Sequence, residues 1–149
     1  MIGDGDDNGD GQSVRQAMNT GAQANKQVAA AFLKAIEDGD VAALAALLTP
    51  SFTWWVSRWG ERSRAQFLDA VTRTMRGFVE RRITTIGVTA EGERVAVEAE
   101  GHFERPGLVY RNTYHYLFIV RDGRIAGGRE YFDTAAAAAA FGPSPEATP

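Results

Sequence analysis

The sequence predicts an α+β domain in which N-terminal helices close a curved antiparallel sheet into a cone. Three observations carry that expectation. Apolar residues recur at helical spacing before Gly77, two-residue alternation takes over from there to Asp133, and Asp122-Gly123 sits between two β-rich runs. Asp-Gly flanked by such runs is a hairpin signal, because glycine accepts the positive φ that tight turns require.

Taken in order, residues 1–20 form a polar, Gly/Asp-rich arm expected to lack structure. Asp4, Asp6, Asn8 and Gly9 match the first half of a calcium-binding loop, but its twelfth position falls on Arg15, where a bidentate Glu is needed. From about Ala22, Val28, Phe32, Ala35 and Ile36 line one helical face; Gly39 ends that helix and Asp40 can cap the next. The second helix turns Val41, Leu44, Leu47 and Leu48 inward, and a short strand follows from Phe52 to Val56. Ser63 with Gln66 makes a capping box for a third helix carrying Phe67, Leu68, Val71, Met75 and Phe78. Strands Arg82–Thr89 and Arg94–Glu104, joined at Glu91-Gly92, lead through Arg105-Pro106-Gly107 into the Leu108–Asp133 hairpin. Six alanines after Thr134 read as a short helix, and residues 142–149 as a flexible tail beyond a single domain at 21–141.

Composition excludes several function classes. A 149-residue chain with 44% hydrophobic and 10% aromatic residues is one globular domain. Its net charge of −3, with both signs interspersed, gives no basic stripe for nucleic acid. Without cysteine there is no thiol catalysis or thiolate metal site, and a reducing compartment is favoured. No apolar run approaches the ~20 residues of a membrane span, and the start lacks a signal-peptide pattern, so the cytoplasm is expected. Nucleophile elbows, phosphate loops and dinucleotide fingerprints are absent, so no cofactor is expected.

Alternation assigns the faces. Asn112, Tyr114, Tyr116, Phe118 and Val120 share one side, opposite Arg111, Thr113, His115, Leu117 and Ile119. Val95, Val97, Ala99, Gly101 and Phe103 form the buried side of their strand, which turns Glu98, Glu100 and His102 outward, away from catalysis or metal. Glu130 shares a face with Phe132, and Asp133 is placed to cap the last helix. An inward strand face that mixes aromatic rings with hydrogen-bonding tips suits a ligand pocket.

At Asp122-Gly123-Arg124-Ile125 through Arg129-Glu130-Tyr131-Phe132-Asp133, the chain resembles the SnoaL-like families of the nuclear transport factor 2-like superfamily. These include polyketide cyclases, limonene epoxide hydrolases and ketosteroid isomerases. Glu37-Asp38-Gly39-Asp40 and Leu47-Leu48-Thr49-Pro50-Ser51-Phe52 fit the same pattern, and the element order agrees from about Gln23 to Phe141. The resemblance implies a cofactor-independent acid–base enzyme acting on a small apolar ligand, or a non-catalytic binding or dimerisation module of the same fold. It places the catalytic carboxylate at Glu130 and one pocket-lining position at Trp54. Positions that carry the epoxide hydrolase's Arg, second Asp, Tyr and Asn fall near Ala99, Gly101, Trp54 and Val56, and the isomerase base also near Val56. The expected ligand contacts are therefore Trp54, Phe103, Asn112, Tyr114, Tyr116 and Phe132, with a homodimer through the outer sheet face. Each has a structural alternative: Glu130 paired with a buried arginine or a tyrosine hydroxyl, the tyrosines as core with satisfied hydroxyls, and Trp54 as core or dimer packing.

Overall fold

Short turn signals set the order of elements, and each turn glycine does what its position demands. The computed structural model describes residues 9–143. The order is α1 (Gly9–Asp38), α2 (Val41–Leu47), β1 (Leu48–Val56), β2 (Gly60–Ser63), α3 (Arg64–Met75), β3 (Glu80–Glu91), β4 (Arg94–Arg105), β5 (Leu108–Arg121), β6 (Arg124–Phe132) and α4 (Thr134–Phe141). Asp122 and Gly123 both adopt positive φ, 49° and 75°, the geometry of a two-residue hairpin turn. The Asp40 carboxylate accepts from the Ala43 amide, and Ser63 and Gln66 cap α3 reciprocally. The Asp133 carboxylate accepts from the Ala135 and Ala136 amides and so starts α4.

The strands form one six-stranded, curved and unclosed sheet in the order β2-β1-β6-β5-β4-β3. Register shifts at Leu48/Thr53, Thr85/Gly87 and Ile119/Val120 bend the strands. Most pairs are antiparallel, as expected, but β1 pairs with β6 in parallel. The physical reason is topological: the chain leaves β1 through β2 and α3, builds β3 to β6 as a meander, and returns to pair along β1. The sheet therefore extends beyond the Gly77–Asp133 span that alternation marks, taking in β1 and β2. A second difference lies in α1, which begins at Gly9 rather than near Ala22, so residues 9–20 are its first turns. Asp4, Asp6 and Asn8 of the calcium-loop pattern lie outside the described residues, as do residues 144–149 of the tail.

The helices cover the concave face. Phe32 of α1 stacks on Trp54 at 5.3 Å between ring centroids and meets Phe118 edge-on at 5.0 Å. Phe67 of α3 joins the same cluster, 5.7 Å from Trp54 and 5.1 Å from Phe52. The end of α1 is latched to β3: the Arg81 guanidinium donates to the Glu37 carbonyl at 2.9 Å, and the Glu37 carboxylate accepts from the Ile83 amide at 2.7 Å. Burial follows the expected alternation in β4 and β5, with Val95, Val97, Ala99, Phe103, Tyr114, Tyr116, Phe118 and Val120 in the core.

Gly128 of β6 is where this packing is tightest. A Cβ there would lie 2.2 Å from the Leu117 carbonyl oxygen and 2.5 Å from the Trp54 ring. The carbonyl belongs to a paired strand and cannot yield. Gly21, in the middle of α1, has nothing within 4 Å of its would-be Cβ. Gly128→Ala is therefore expected to lower stability by about 1–3 kcal/mol through overpacking. Gly21→Ala is expected to raise it by about 0.5–1 kcal/mol through helix propensity. Urea titrations of the two variants check both signs.

Candidate active site

Strand register builds the site. Glu130 of β6 lies opposite Tyr116 of β5, and its other neighbour, on β1, is Val56. Facing residues in adjacent strands point to the same side of a sheet with Cβ atoms about 5 Å apart. The Glu130 carboxyl thus enters the concave face between a phenol and a valine. Further along, Tyr114 faces Phe132 across β5 and β6, and Ala99 faces Tyr114 across β4 and β5. Small residues at 99 and 101 leave room for rings, since a Cβ on Gly101 would lie 2.6 Å from Phe103 and 2.7 Å from Tyr114. The rings of Tyr114 and Tyr116 stack at 5.4 Å and 7° between planes, and Phe118 continues the ladder.

Glu130 is the charged group this apolar wall contains. The Trp54 indole N–H donates to its Oε2 at 3.1 Å, and no hydrogen bond joins Oε1 to any described residue. Desolvation is the largest influence on the carboxyl and pushes its pKa from 4.5 up to about 7, against the opposing pull of the Trp54 hydrogen bond. Burial also drives the hydroxyl pKa values of Tyr116, Tyr114 and Tyr110 upward, and the Glu130 charge adds to the rise in each. These phenols stay protonated and serve as donors. Tyr116 is 4% exposed, and its hydroxyl makes no hydrogen bond with a described residue.

The other expected contacts divide by their partners. Trp54 is fully buried and holds Glu130. Asn112 is 7% exposed, and its amide is satisfied within the fold. Its Nδ2 donates to the Tyr110 hydroxyl at 2.6 Å and to the Asp133 carbonyl at 2.9 Å, while its Oδ1 accepts from the Thr113 and Asp133 amides. Phe103 is buried against Phe78 and Tyr110. Phe132 is partly exposed, 6.0 Å from Tyr114 and 5.8 Å from Trp59 at the rim of the concave face. One member was missed at the level of sequence: Tyr110 continues the inward alternation two residues before Asn112, a signal that was there to read. Val56, a site position by the resemblance, becomes a neighbour of Glu130 through the parallel pairing, which has no local signature.

Glu98 and Glu100 are exposed, as expected, and His102 is on the same outer face. Ligand atoms of Glu80, His102 and Glu104 gather within 4.8 Å there. Both His102 ring nitrogens are already engaged, Nδ1 accepting from Arg111 at 2.9 Å and Nε2 bonded to Glu104 at 2.5 Å. Two open grooves, of about 450 and 420 Å³, take residues from both faces, the first Arg82, Arg111 and Asn112 among them and the second Ile86, Tyr114, Tyr131 and Phe132. Neither includes Glu130.

Known structures share this fold. An epoxide hydrolase of the limonene type from M. tuberculosis superposes with a TM-score of 0.68 at 23% identity, over 77% of this chain and 86% of that one. PrhC from Penicillium brasilianum gives a TM-score of 0.72 at 16% identity, over 78% and 84%. A protein of ketosteroid isomerase-like fold from Catenulispora acidiphila, solved with trimethylamine, gives 0.67 at 20%, over 82% and 97%. Likeness at these identities speaks for the fold. No curated protein matches the sequence. Residues 29–128, well over half of the chain, match the SnoaL-like domain, and the protein belongs to that family.

Proposed function

We propose that the protein is a cofactor-independent enzyme in which Glu130 transfers protons on a small, largely apolar substrate. The observation that carries this reading is a carboxyl pushed up to about pKa 7 in an aromatic wall, opposite a phenol with no hydrogen-bond partner among the described residues. A group whose pKa lies near the working pH serves both as base and as acid, so Glu130 can remove a proton at one position and return it at another. The Tyr116 hydroxyl, across the strand, supplies a hydrogen bond to an oxygen on which negative charge develops. Isomerisation, cyclisation and dehydration all fit that pair. Ring opening by water fits less well, because Val56, Ala99 and Gly101 carry no group to orient a water molecule.

The alternative is a binding or dimerisation module, and Asn112 favours it, since its polar group is used up inside the fold. For the assembly we propose a homodimer through the outer sheet face. Ile86 and Tyr131 are 55% and 41% exposed there, and Arg129 lies over the Trp55 ring beside Tyr131. Sedimentation as a dimer at micromolar concentration is the expected result; a monomer there removes this proposal. Among the described residues no helix is long and apolar enough to cross a membrane, and the absence of cysteine supports a reducing compartment such as the cytoplasm.

Glu130→Gln tests the catalytic role. A thermal-shift screen of small carbonyl compounds, epoxides and polycyclic aromatics supplies a substrate. The variant is then expected to keep binding while turnover falls about 10²–10⁴-fold. Turnover at the wild-type rate by a folded variant sinks the role.

The same substitution has a signature in stability that needs no substrate. The folded pKa of Glu130 lies above its unfolded value, so the folded state holds this proton between pH 4.5 and about 7 while the unfolded chain releases it. The wild type therefore loses stability as pH rises through that window, by about 3 kcal/mol at most. The Gln variant has no such loss. Thermal denaturation should show the variant gaining on the wild type from pH 4.5 to 7, with a constant difference above that.

A further inference from the structure

We propose that Trp54 is a positioning residue that fixes which oxygen of the Glu130 carboxyl carries the exchangeable proton. The inference rests on the reading of Glu130 as the proton-transfer group, and it adds a member to that site.

The indole N–H is a donor with no acceptor capacity. Its target here is one defined atom, Glu130 Oε2, at 3.1 Å. A neutral carboxylic acid holding its proton on Oε2 would set O–H against N–H, two donors facing each other. With the indole in place the proton belongs on Oε1, the oxygen without a partner among the described residues. The ionised form keeps the same arrangement, because Oε2 still accepts from Trp54 and Oε1 is free to receive a proton. Both protonation states therefore present the same atom for exchange.

This works only if the indole cannot turn, and its surroundings fix it. Trp54 has no exposed surface, and Phe32, Phe52, Phe67 and Phe118 have ring centroids 5.3–5.7 Å from its own. The missing side chain at Gly128 lets the ring lie against the β6 backbone, where any Cβ would come within 2.5 Å of it. Two strands thus hold the donor and acceptor in one geometry, β1 with Trp54 and β6 with Glu130, in parallel register. The titratable groups facing Glu130 are the phenols of Tyr116, Tyr114 and Tyr110 on β5, all held protonated. From β1 the neighbours are Trp54 and Val56, and Phe32 of α1 and Phe67 of α3 pack on the indole; none of these titrates. Among the described residues no charged group competes with the indole for the carboxylate.

The test reads the carboxyl directly. Trp54→Phe removes the N–H and retains an aromatic ring, and Trp54 replaced by 3-benzothienylalanine keeps the bicyclic shape and loses only the donor. Side-chain 13C NMR of glutamate-labelled protein, with Glu130→Gln used to assign the Glu130 signal, gives the titration. Both variants are expected to raise the Glu130 pKa by about one unit or more, the size of a hydrogen bond to a charged group. The infrared C=O stretch of the protonated acid is expected to move to higher frequency as Oε2 loses its donor. With a substrate in hand, kcat should fall and its pH profile move to higher pH, with KM little changed. A Glu130 titration unmoved in the benzothienyl variant overturns the positioning role, and that variant keeps the test sound if the smaller phenylalanine disturbs folding. Failure of the catalytic reading looks different: Glu130→Gln turns over normally while the titration of Glu130 still responds to loss of the indole N–H.

Discussion

The structure depends on one buried indole. Trp54 is the point at which α1, α3 and three strands of the sheet meet, α1 through Phe32, α3 through Phe67, β5 through Phe118 and β6 through Gly128. A ring of that size contributes the largest apolar burial a single residue can, and it carries one polar atom that burial obliges the fold to satisfy. The fold satisfies it with Glu130. Packing and chemistry are therefore joined at a single atom pair, and the core cannot be rearranged around Trp54 without moving the carboxyl.

That coupling explains why the site tolerates an ionisable group among so many rings. A carboxylate taken from water into apolar surroundings loses hydration, which favours its neutral form, and a single donor returns part of what was lost. One hydrogen bond leaves Glu130 in between, with a pKa raised to about 7 rather than fully neutralised or fully ionised. Two or three donors would restore an ordinary carboxylate, and an arginine would lock it charged. The sparse polar surroundings are what make proton exchange near neutral pH accessible.

How much of this could be read in the residues depends on the range over which each signal acts. Caps and turns act over two to four residues, so Asp40, Ser63, Asp122-Gly123 and Asp133 were legible and stand where expected. The period-2 pattern of β4 and β5 acts along one strand and gave the inward faces of both. Pairing across distant sequence leaves no such trace. The parallel partnership of β1 with β6, the contact of Trp54 with Glu130 and the place of Val56 beside that carboxyl all join residues more than seventy positions apart. The early start of α1 was hidden differently: Gly9, Asp10 and Gly11 carry low helix propensity, and the polar residues after them offer no apolar period to read.

Asn112 gives the end of the sheet a mechanical character. Its amide bonds to both the carbonyl and the amide of Asp133, the residue whose carboxylate starts α4, and Phe141 at the far end of α4 packs edge-on against Tyr110 at 4.8 Å. Lifting α4 would take one of two partners from each end of a buried amide, leaving Tyr110 and Thr113, at the same moment that it opened the aromatic contact. The helix is consequently fastened at both ends, by Asn112 at its start and Tyr110 at its finish, as by a latch closed at two points.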